Sequence, residues 1–243
     1  MAKAVSLDQL PVFSQNEPPP PDYDYTKGAL MLVDKPSGWT SFDVVNYLKK
    51  SLNAGKVGHA GTLDPMATGL LVICCGKATK TVSQIQSMPK EYEGVVTFGA
   101  STPSRDAETE IEETAPFEHI TREKIDEVLE NHFSGEVEQV PPMYSAVKHK
   151  GKRLYKLARQ GKEVKRKPRI VEIYETRILE FEPPKLTLYV KCGKGTYIRS
   201  IAYDLGKKLD SLAYLSALTR TAIGPYSNGD ALTIDDLREI KFE

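Results

Sequence analysis

The run Leu70-Leu71-Val72-Ile73-Cys74-Cys75, closed by Gly69 on one side and Gly76 on the other, constrains the fold more than any other stretch. A strand with one face in water alternates apolar and polar residues, whereas a continuous apolar run bounded by glycines reads as a strand buried on both faces. Such a strand needs a sheet around it. The residues before it are of the opposite kind: Lys56 to Gly69 carries Gly58, Gly61 and Gly69, together with His59 and the pair Asp64-Pro65. Glycine permits tight turns and the close approach of another backbone, and Pro65 fixes the chain direction straight after Asp64. A carboxylate on a stiff loop beside a buried strand is well placed for chemistry. An Asp-Pro pair also starts helices and turns, with the carboxylate accepting backbone N–H groups. Partners elsewhere in the chain must decide between the two readings.

The rest of the chain supplies the sheet. Residues 1–27 contain Glu17-Pro18-Pro19-Pro20-Pro21-Asp22, which cannot form helix and predicts an extended lead-in, with regular structure beginning at Gly28. Ala29 to Val33 predicts a strand, and Thr40-x-x-Asp43 starts a helix carrying Val44, Val45, Leu48 and Leu52 at helical spacing. Lys77 to Met88 has a helical face, and Lys90 to Gly99 returns to strand character. Ser101 to Glu118 reads as a polar loop, Thr121 to His132 as a short amphipathic helix, and Pro141 to Val147 as an extended path. Beyond it the spacing predicts a hairpin around Gly151, a short helix stopped by Gly161, and strands Ile170 to Phe181 and Lys185 to Cys192 joined at Pro183-Pro184. Thr196 to Leu209 predicts a helix, Ala213 to Ala222 a mixed apolar segment, and Thr233-x-x-Asp236 a last helix start. Strands outnumber helices and several are sequential. The expected class is α+β, with a mixed, largely antiparallel central sheet flanked by helices.

Lys plus Arg equals Asp plus Glu at 33 each, yet the balance hides a separation along the chain. Acidic residues dominate from Arg105 to Glu138, while in the segment 148–169 Lys148, Lys150, Lys152, Arg153, Lys156, Arg159, Lys162, Lys165, Arg166, Lys167 and Arg169 are opposed only by Glu163. A charge run is usually a solvated face, but one this one-sided exerts a field able to attract phosphates. Cys74, Cys75 and Cys192 form no C-x-x-C pair, so neither a disulfide framework nor a zinc site is indicated. No apolar run reaches the roughly 20 residues of a membrane helix and no secretory pattern opens the chain, so a cytoplasmic location is the expectation.

Familiar chemistries fail in turn. Gly69 to Lys77 has the wrong glycine spacing for a phosphate-binding loop, with Ala78 in place of the magnesium-binding hydroxyl. Gly193-Lys194-Gly195-Thr196-Tyr197-Ile198 lacks the third glycine of a dinucleotide fingerprint, and the histidines form no H-E-x-x-H. No G-x-S-x-G elbow is present. What remains is Asp64 together with the turn that presents Tyr197 and Arg199. An arginine beside an aspartate would hold the carboxylate ionised and aimed, and a tyrosine can stack on a base. The bland alternative is an ordinary helix start with Tyr197 in the core and Arg199 on the surface.

Four motifs, in order, carry a family resemblance: Lys35-Pro36-Ser37-Gly38-Trp39-Thr40-Ser41, Gly58-His59-Ala60-Gly61-Thr62-Leu63-Asp64-Pro65-Met66-Ala67-Thr68-Gly69-Leu70-Leu71, Pro142-Met143-Tyr144-Ser145-Ala146-Val147-Lys148 and Gly195-Thr196-Tyr197-Ile198-Arg199-Ser200. From about Gly28 to Tyr226 the chain resembles the TruB family of tRNA pseudouridine synthases. The resemblance implies the pseudouridine synthase fold and conversion of a T-loop uridine of tRNA to pseudouridine, with no metal or organic cofactor. It implies that Asp64 is the catalytic aspartate, Arg199 the arginine paired with it, Tyr92 a tyrosine stacked near the target base and Tyr197 a second active-site tyrosine. His59 matches the histidine that fills the space left in the RNA when the nucleotide swings out. Lys35 and Pro36 belong to a motif that chiefly supports the site, and Lys35 is counted with the substrate-binding residues. Lys148, Lys150 and Arg153 of the basic segment would meet RNA phosphates.

The expected organisation is a catalytic domain over 28–243 with the basic RNA-binding segment at 148–169. Only about seventeen residues follow Tyr226, so a full C-terminal PUA domain is not expected. The T-arm of tRNA is the expected partner, with no membrane, no obligate protein partner and a monomeric chain. Ser101 to Thr109 follows the family pattern loosely, with Thr109 where a glycine is usual and Arg105 added, and Asp106 receives no role. Two other readings are a tRNA-folding chaperone using the same cleft, which would not require both Asp64 and Arg199, and an enzyme of free nucleotides, which would lack the steep salt dependence of an RNA binder.

Overall fold

The apolar run lies, as its pattern predicts, in a strand, Thr68–Cys75, in which every residue from Gly69 onward is buried. The structure is a computed structural model that describes residues 5–240. In chain order the first elements are β1 (Val12–Phe13), β2 (Ala29–Lys35), α1 (Ser41–Ser51), β3 (Val57–His59), β4 (Thr68–Cys75), α2 (Val82–Ser87) and β5 (Lys90–Phe98). There follow β6 (Ala100–Ser101), β7 (Glu113–Thr114), α3 (Arg122–His132), β8 (Gly135–Gln139), β9 (Lys148–His149), β10 (Lys152–Arg153) and α4 (Leu154–Ala158). The chain ends with β11 (Arg169–Glu182), β12 (Lys185–Cys192), α5 (Ile198–Lys208), β13 (Ala213–Ile223), β14 (Tyr226–Ser227) and α6 (Ile234–Glu239). It divides into two compact units, one reaching to Tyr92 and resuming at Thr219, the other formed by Glu93–Leu218.

In the first unit β2 pairs antiparallel with β4 from Ala29 opposite Cys75 to Lys35 opposite Gly69. β1 joins β2 in parallel, and β3 and then the end of β13 line the other edge of β4. Alternation does the rest. Ala29, Met31, Val33, Leu71, Ile73 and Cys75 pack with Val44 and Leu48 of α1 and Leu237 of α6, while Leu30, Leu32, Leu70, Val72 and Cys74 pack with Ala78, Ile85 and Ile223. A slip of one residue would exchange the two apolar sets, so both coverings hold the register. Thr40 and Asp43 form the capping box that opens α1, worth about 1 kcal/mol, and each fully buried Val or Leu behind it contributes roughly 1.5–3 kcal/mol.

The lead-in departs from expectation. Regular structure begins before Gly28, because Val12 and Phe13 pair with Leu30 and Met31, and Phe13, Tyr23 and Tyr25 stack edge to face with centroids 4.9–6.0 Å apart. The aromatics on either side of the proline run bury enough area to anchor a segment whose own backbone cannot make helix; residues 1–4 lie outside the described residues. Lys77 to Met88 also divides, into a 3₁₀ turn over Gly76–Thr81 and then α2. Thr79 and Thr81 donate their hydroxyls to the Gly76 and Ala78 carbonyls three residues back, which favours the tighter turn.

In the second unit the strand order is β13, β5, β12, β11, β8. β11 and β12 form a long antiparallel pair, from Ile173 opposite Cys192 to Glu182 opposite Lys185, and β8 runs antiparallel along the other edge of β11. Two elements go beyond the sequence reading: β8, whose run Gly-Glu-Val-Glu-Gln offers only one apolar residue, and β13, which resolves the mixed apolar segment as a strand. The loop 101–118 contributes one strand pair, β6 with β7. Among the strand pairs whose register is described, only β1 with β2 and β4 with β13 are parallel, and two isolated bridges, Val33 with Leu232 and Asp106 with Leu215, are parallel as well. The class is therefore α+β with a mixed, largely antiparallel sheet, as expected. Cys74, Cys75 and Cys192 are free and buried. Among the described residues, no helix is long and apolar enough to cross a membrane.

Candidate active site

In the first unit, the loop between β3 and β4 carries Asp64 and is stitched to residues 35–41. Ser41 Oγ donates to the Leu63 carbonyl (3.2 Å) and accepts from the Leu63 N–H (2.8 Å). The Gly38 N–H donates to the Pro65 carbonyl (2.9 Å) and Ser37 Oγ to that of Met66 (3.3 Å). The Ala67 N–H donates to the Asp64 carbonyl, so the Asp-Pro pair turns the chain and begins no helix. Each residue on either side of Asp64 is thus fixed through its backbone.

Lys35 is the hub of this stitching. Its Nζ donates to the carbonyls of Pro36 (2.9 Å), Trp39 (2.6 Å) and Pro65 (3.2 Å), and the residue is 0% exposed. Lys35, counted from the sequence with the substrate-binding residues, is thus placed as a buried ammonium that anchors the loop through backbone carbonyls. A buried charge is tolerated because its hydrogen-bonding capacity is met.

His59 ends β3 opposite Ile73 and is half-buried. Its Nδ1 is buried and has no hydrogen-bond partner among the described residues. Burial, followed by the nearby Arg220 charge, holds its pKa below the ordinary histidine value. The ring is therefore neutral at physiological pH and presents itself as a flat, weakly polar surface. Tyr92, half-buried, stands on β5 in the same unit.

In the second unit Arg199 lies one residue into α5 and is buried. Its side chain is 4% exposed and stands 3.2 Å from the Asp106 carboxylate, itself 1% exposed. Nη1 also donates to the Ser104 carbonyl (2.9 Å) and Nη2 to that of Tyr144 (2.8 Å). The bland reading of Arg199 as a surface residue is therefore wrong. The other Asp106 oxygen accepts from Ser104 Oγ and the Glu108 N–H, and Thr109 Oγ1 accepts from the Ser104 N–H, so this short loop is folded around one carboxylate. Arg105 sits at φ +64°, stacks 4.0 Å over the Tyr203 ring and donates to Ser200 Oγ.

Tyr197, half-buried, precedes α5 and is held by its backbone: its N–H donates to Gln139 Oε1 (2.8 Å), and Gln139 Nε2 donates to its carbonyl (3.0 Å). Neither Asp106 nor Gln139 was assigned from sequence. The family pattern around Asp106 was the available signal; Gln139 offered none.

The basic segment forms the expected hairpin and helix. Lys148 pairs with Arg153 across the β9–β10 turn at Lys150-Gly151, and Leu154 and Leu157 of α4 pack on Met143. Those apolar contacts leave Lys148, Lys150, Lys152, Arg153, Lys156 and Arg159 in solvent. Within this run, among the described residues, only Arg166 has a carboxylate within ion-pair distance, that of Glu163 at 3.2 Å. No group of three or more His, Cys, Asp and Glu among the described residues is arranged to hold a metal ion.

Residues 49–198 match the family described as TruB family pseudouridylate synthase, N-terminal domain. The chain is 47% identical over 218 residues to tRNA pseudouridine synthase B of Flavobacterium johnsoniae, covering 87% of this chain and 95% of that protein. It is 46% identical over 222 residues to the protein of the same name from Phocaeicola vulgatus, covering 89% and 94%. Among solved structures, a chain of a Cbf5–Nop10–Gar1 complex superposes with a TM-score of 0.69 at 30% identity, over 97% of this chain and 60% of that one. A chain of an H/ACA RNP bound to a substrate RNA containing 2'-deoxyuridine gives 0.66 at 27% identity, over 97% and 59%. The chain thus spans about 60% of the length of those solved chains.

Proposed function

The chain belongs to the TruB family of pseudouridylate synthases, and from that footing we propose that it isomerises a T-loop uridine of tRNA by base flipping, with Asp64 as nucleophile. It is a tRNA pseudouridine synthase, an isomerase, and tRNA is its partner. The observation that carries the finer reading is the loop itself. Backbone bonds fix Leu63, Pro65, Met66 and Ala67 around a carboxylate whose aim is thereby set before substrate arrives, which is how positioning lowers a barrier.

In this mechanism the Asp64 carboxylate attacks the flipped nucleotide and the glycosidic bond from N1 breaks. The uracil then rotates, C5 bonds to the ribose, and the bond to Asp64 breaks and returns the free carboxylate; C5 loses its proton while N1 gains one. Atoms balance without a redox partner. The point of attack, sugar or pyrimidine ring, is the same to this loop. Arg199 is assigned to hold the aspartate ionised, Tyr92 to stack near the base, and Tyr197 to line the site. The neutral ring of His59 takes the place of the extruded nucleotide, offsetting part of an unstacking cost of a few kcal/mol. The catalytic region over 28–243, onto whose core Phe13 and Tyr25 of the lead-in pack, acts as a monomer on the T-arm, with the segment 148–169 along the stem phosphates.

The test is pseudouridine formation in an unmodified tRNA transcript beside one whose T-loop uridines are replaced by cytidine. Conversion of the first alone is expected. Conversion confined to another arm would overturn the T-loop assignment, and none by folded protein would overturn the synthase reading.

The hairpin gives a second expectation. Alanine at Lys148, Lys150 and Arg153 together is expected to weaken tRNA binding and to flatten the log–log dependence of affinity on salt by about one unit for each phosphate no longer neutralised. All three side chains are exposed, so thermal stability should hold. An unchanged salt slope would remove the hairpin from the interface.

A further inference from the structure

Arg220 is 1% exposed and is among the largest fully buried side chains described. It lies on β13 opposite Gly69 of β4, with Thr219 opposite Thr68 and their hydroxyls 2.8 Å apart. Its Nε donates to the Leu70 carbonyl (2.7 Å) and its Nη2 to the Gly61 carbonyl (3.1 Å). Among the described residues it has no carboxylate within ion-pair distance. A buried cation is ordinarily kept by a counter-charge. Here its donors go to two backbone carbonyls instead, and those carbonyls are the two ends of the segment that carries Asp64.

The surrounding backbone is shaped for this contact. Gly69 has φ +97°, and a Cβ there would stand 2.4 Å from the Arg220 carbonyl oxygen, so only glycine lets β13 lie this close. Gly61 has φ +123°, and a Cβ there would touch Nη1 at 3.4 Å. The middle of the loop is held from residues 35–41; the guanidinium closes its ends. A planar fork of donors can span two carbonyls in fixed geometry, whereas an ammonium is a point donor.

We propose that Arg220 is a positioning residue that clamps the ends of the Gly61–Leu70 loop and thereby sets the aim of the Asp64 carboxylate, an inference that rests on Asp64 being the nucleophile. Arg220 need not touch RNA or the reacting atoms. Its loss should act on turnover, not on tRNA affinity, because the loop is misaligned while the RNA-binding surfaces are unchanged.

The experiment uses the full chain, an unmodified tRNA transcript, and the variants Arg220→Lys, Arg220→Gln and Gly61→Ala beside Asp64→Asn. Amide hydrogen exchange at Leu63 and Ala67 reports the loop independently of chemistry. The expected result for Arg220→Lys is a kcat about ten- to a hundredfold lower with KM within about twofold, and faster exchange at both amides. Arg220→Gln should lose more turnover than Arg220→Lys, which keeps the positive charge and its donors but gathers them on one compact head instead of a fork that spans both carbonyls. Gly61→Ala, which keeps the buried charge and strains the backbone at φ +123° beside the carbonyl that the guanidinium holds, should give the same split between kcat and KM even where the Arg220 variants fail to fold. Wild-type kcat in Arg220→Lys or in Gly61→Ala, or unchanged exchange, would overturn the clamp. An Asp64→Asn variant that still makes pseudouridine would instead overturn the nucleophile, whatever the exchange data show.

Discussion

Asp64→Asn is expected to abolish pseudouridine formation, by on the order of 10⁴-fold or more, while leaving tRNA affinity and folding close to wild type. The magnitude is that of removing a nucleophile whose role no neighbour can take over. The preservation of fold follows from how the loop is built. Its described ties use the Leu63 N–H and the carbonyls of Leu63, Asp64, Pro65 and Met66, and none of these is altered by exchanging a carboxylate for an amide. Asparagine keeps the shape and loses the negative charge and the nucleophilic oxygen. Single-turnover conversion measured beside tRNA binding reads both halves of the expectation. A variant that binds and still converts would show that the nucleophile lies elsewhere. If Asp64→Asn still accelerated the refolding of misfolded tRNA, chaperoning would stand as a separate property of the RNA-binding surface.

Much of this site is legible in the sequence, because its signals are local. Glycines at Gly58, Gly61 and Gly69 around an Asp-Pro pair announce an irregular, stiff loop, and the apolar run that follows announces the strand that supports it. Capping at Thr40 and Thr233 is equally local, and both capping boxes form. What stayed hidden depends on distance along the chain. Lys35 shows its charge in the sequence but not its enclosure, which arises only when Pro65 folds over it. Gln139 and Tyr197 exchange two hydrogen bonds across 58 positions, and a lone glutamine at the end of a glutamate-rich strand carries no mark of that. Phe13 and Tyr25 flank a proline run that reads as detached, yet their rings are core. Arg220 is the extreme case, a charge in an apolar strand whose partners are backbone atoms and leave no pattern at all.

Asp106 shows how the same distance sets an energetic consequence. Asp106→Ala is expected to destabilise the protein by about 3–5 kcal/mol, the scale of breaking a buried ion pair by removing one partner. The loss comprises the carboxylate facing Arg199 and the hydrogen bonds from Ser104 and Glu108 that fold the 102–109 loop. Arg199 keeps its bonds to the Ser104 and Tyr144 carbonyls, so the guanidinium stays enclosed while losing that counter-charge. For a chain of this size such a loss lowers the melting temperature by about 6–20 °C. Ser104→Ala, which removes one hydroxyl and leaves the ion pair, is expected to cost only about 1 kcal/mol. Thermal and chemical unfolding of the two variants side by side checks the ratio. If Asp106→Ala were as mild as Ser104→Ala, the ion pair would contribute little to the fold, and the burial of Arg199 would have to be explained by its two carbonyl partners and its role at the site.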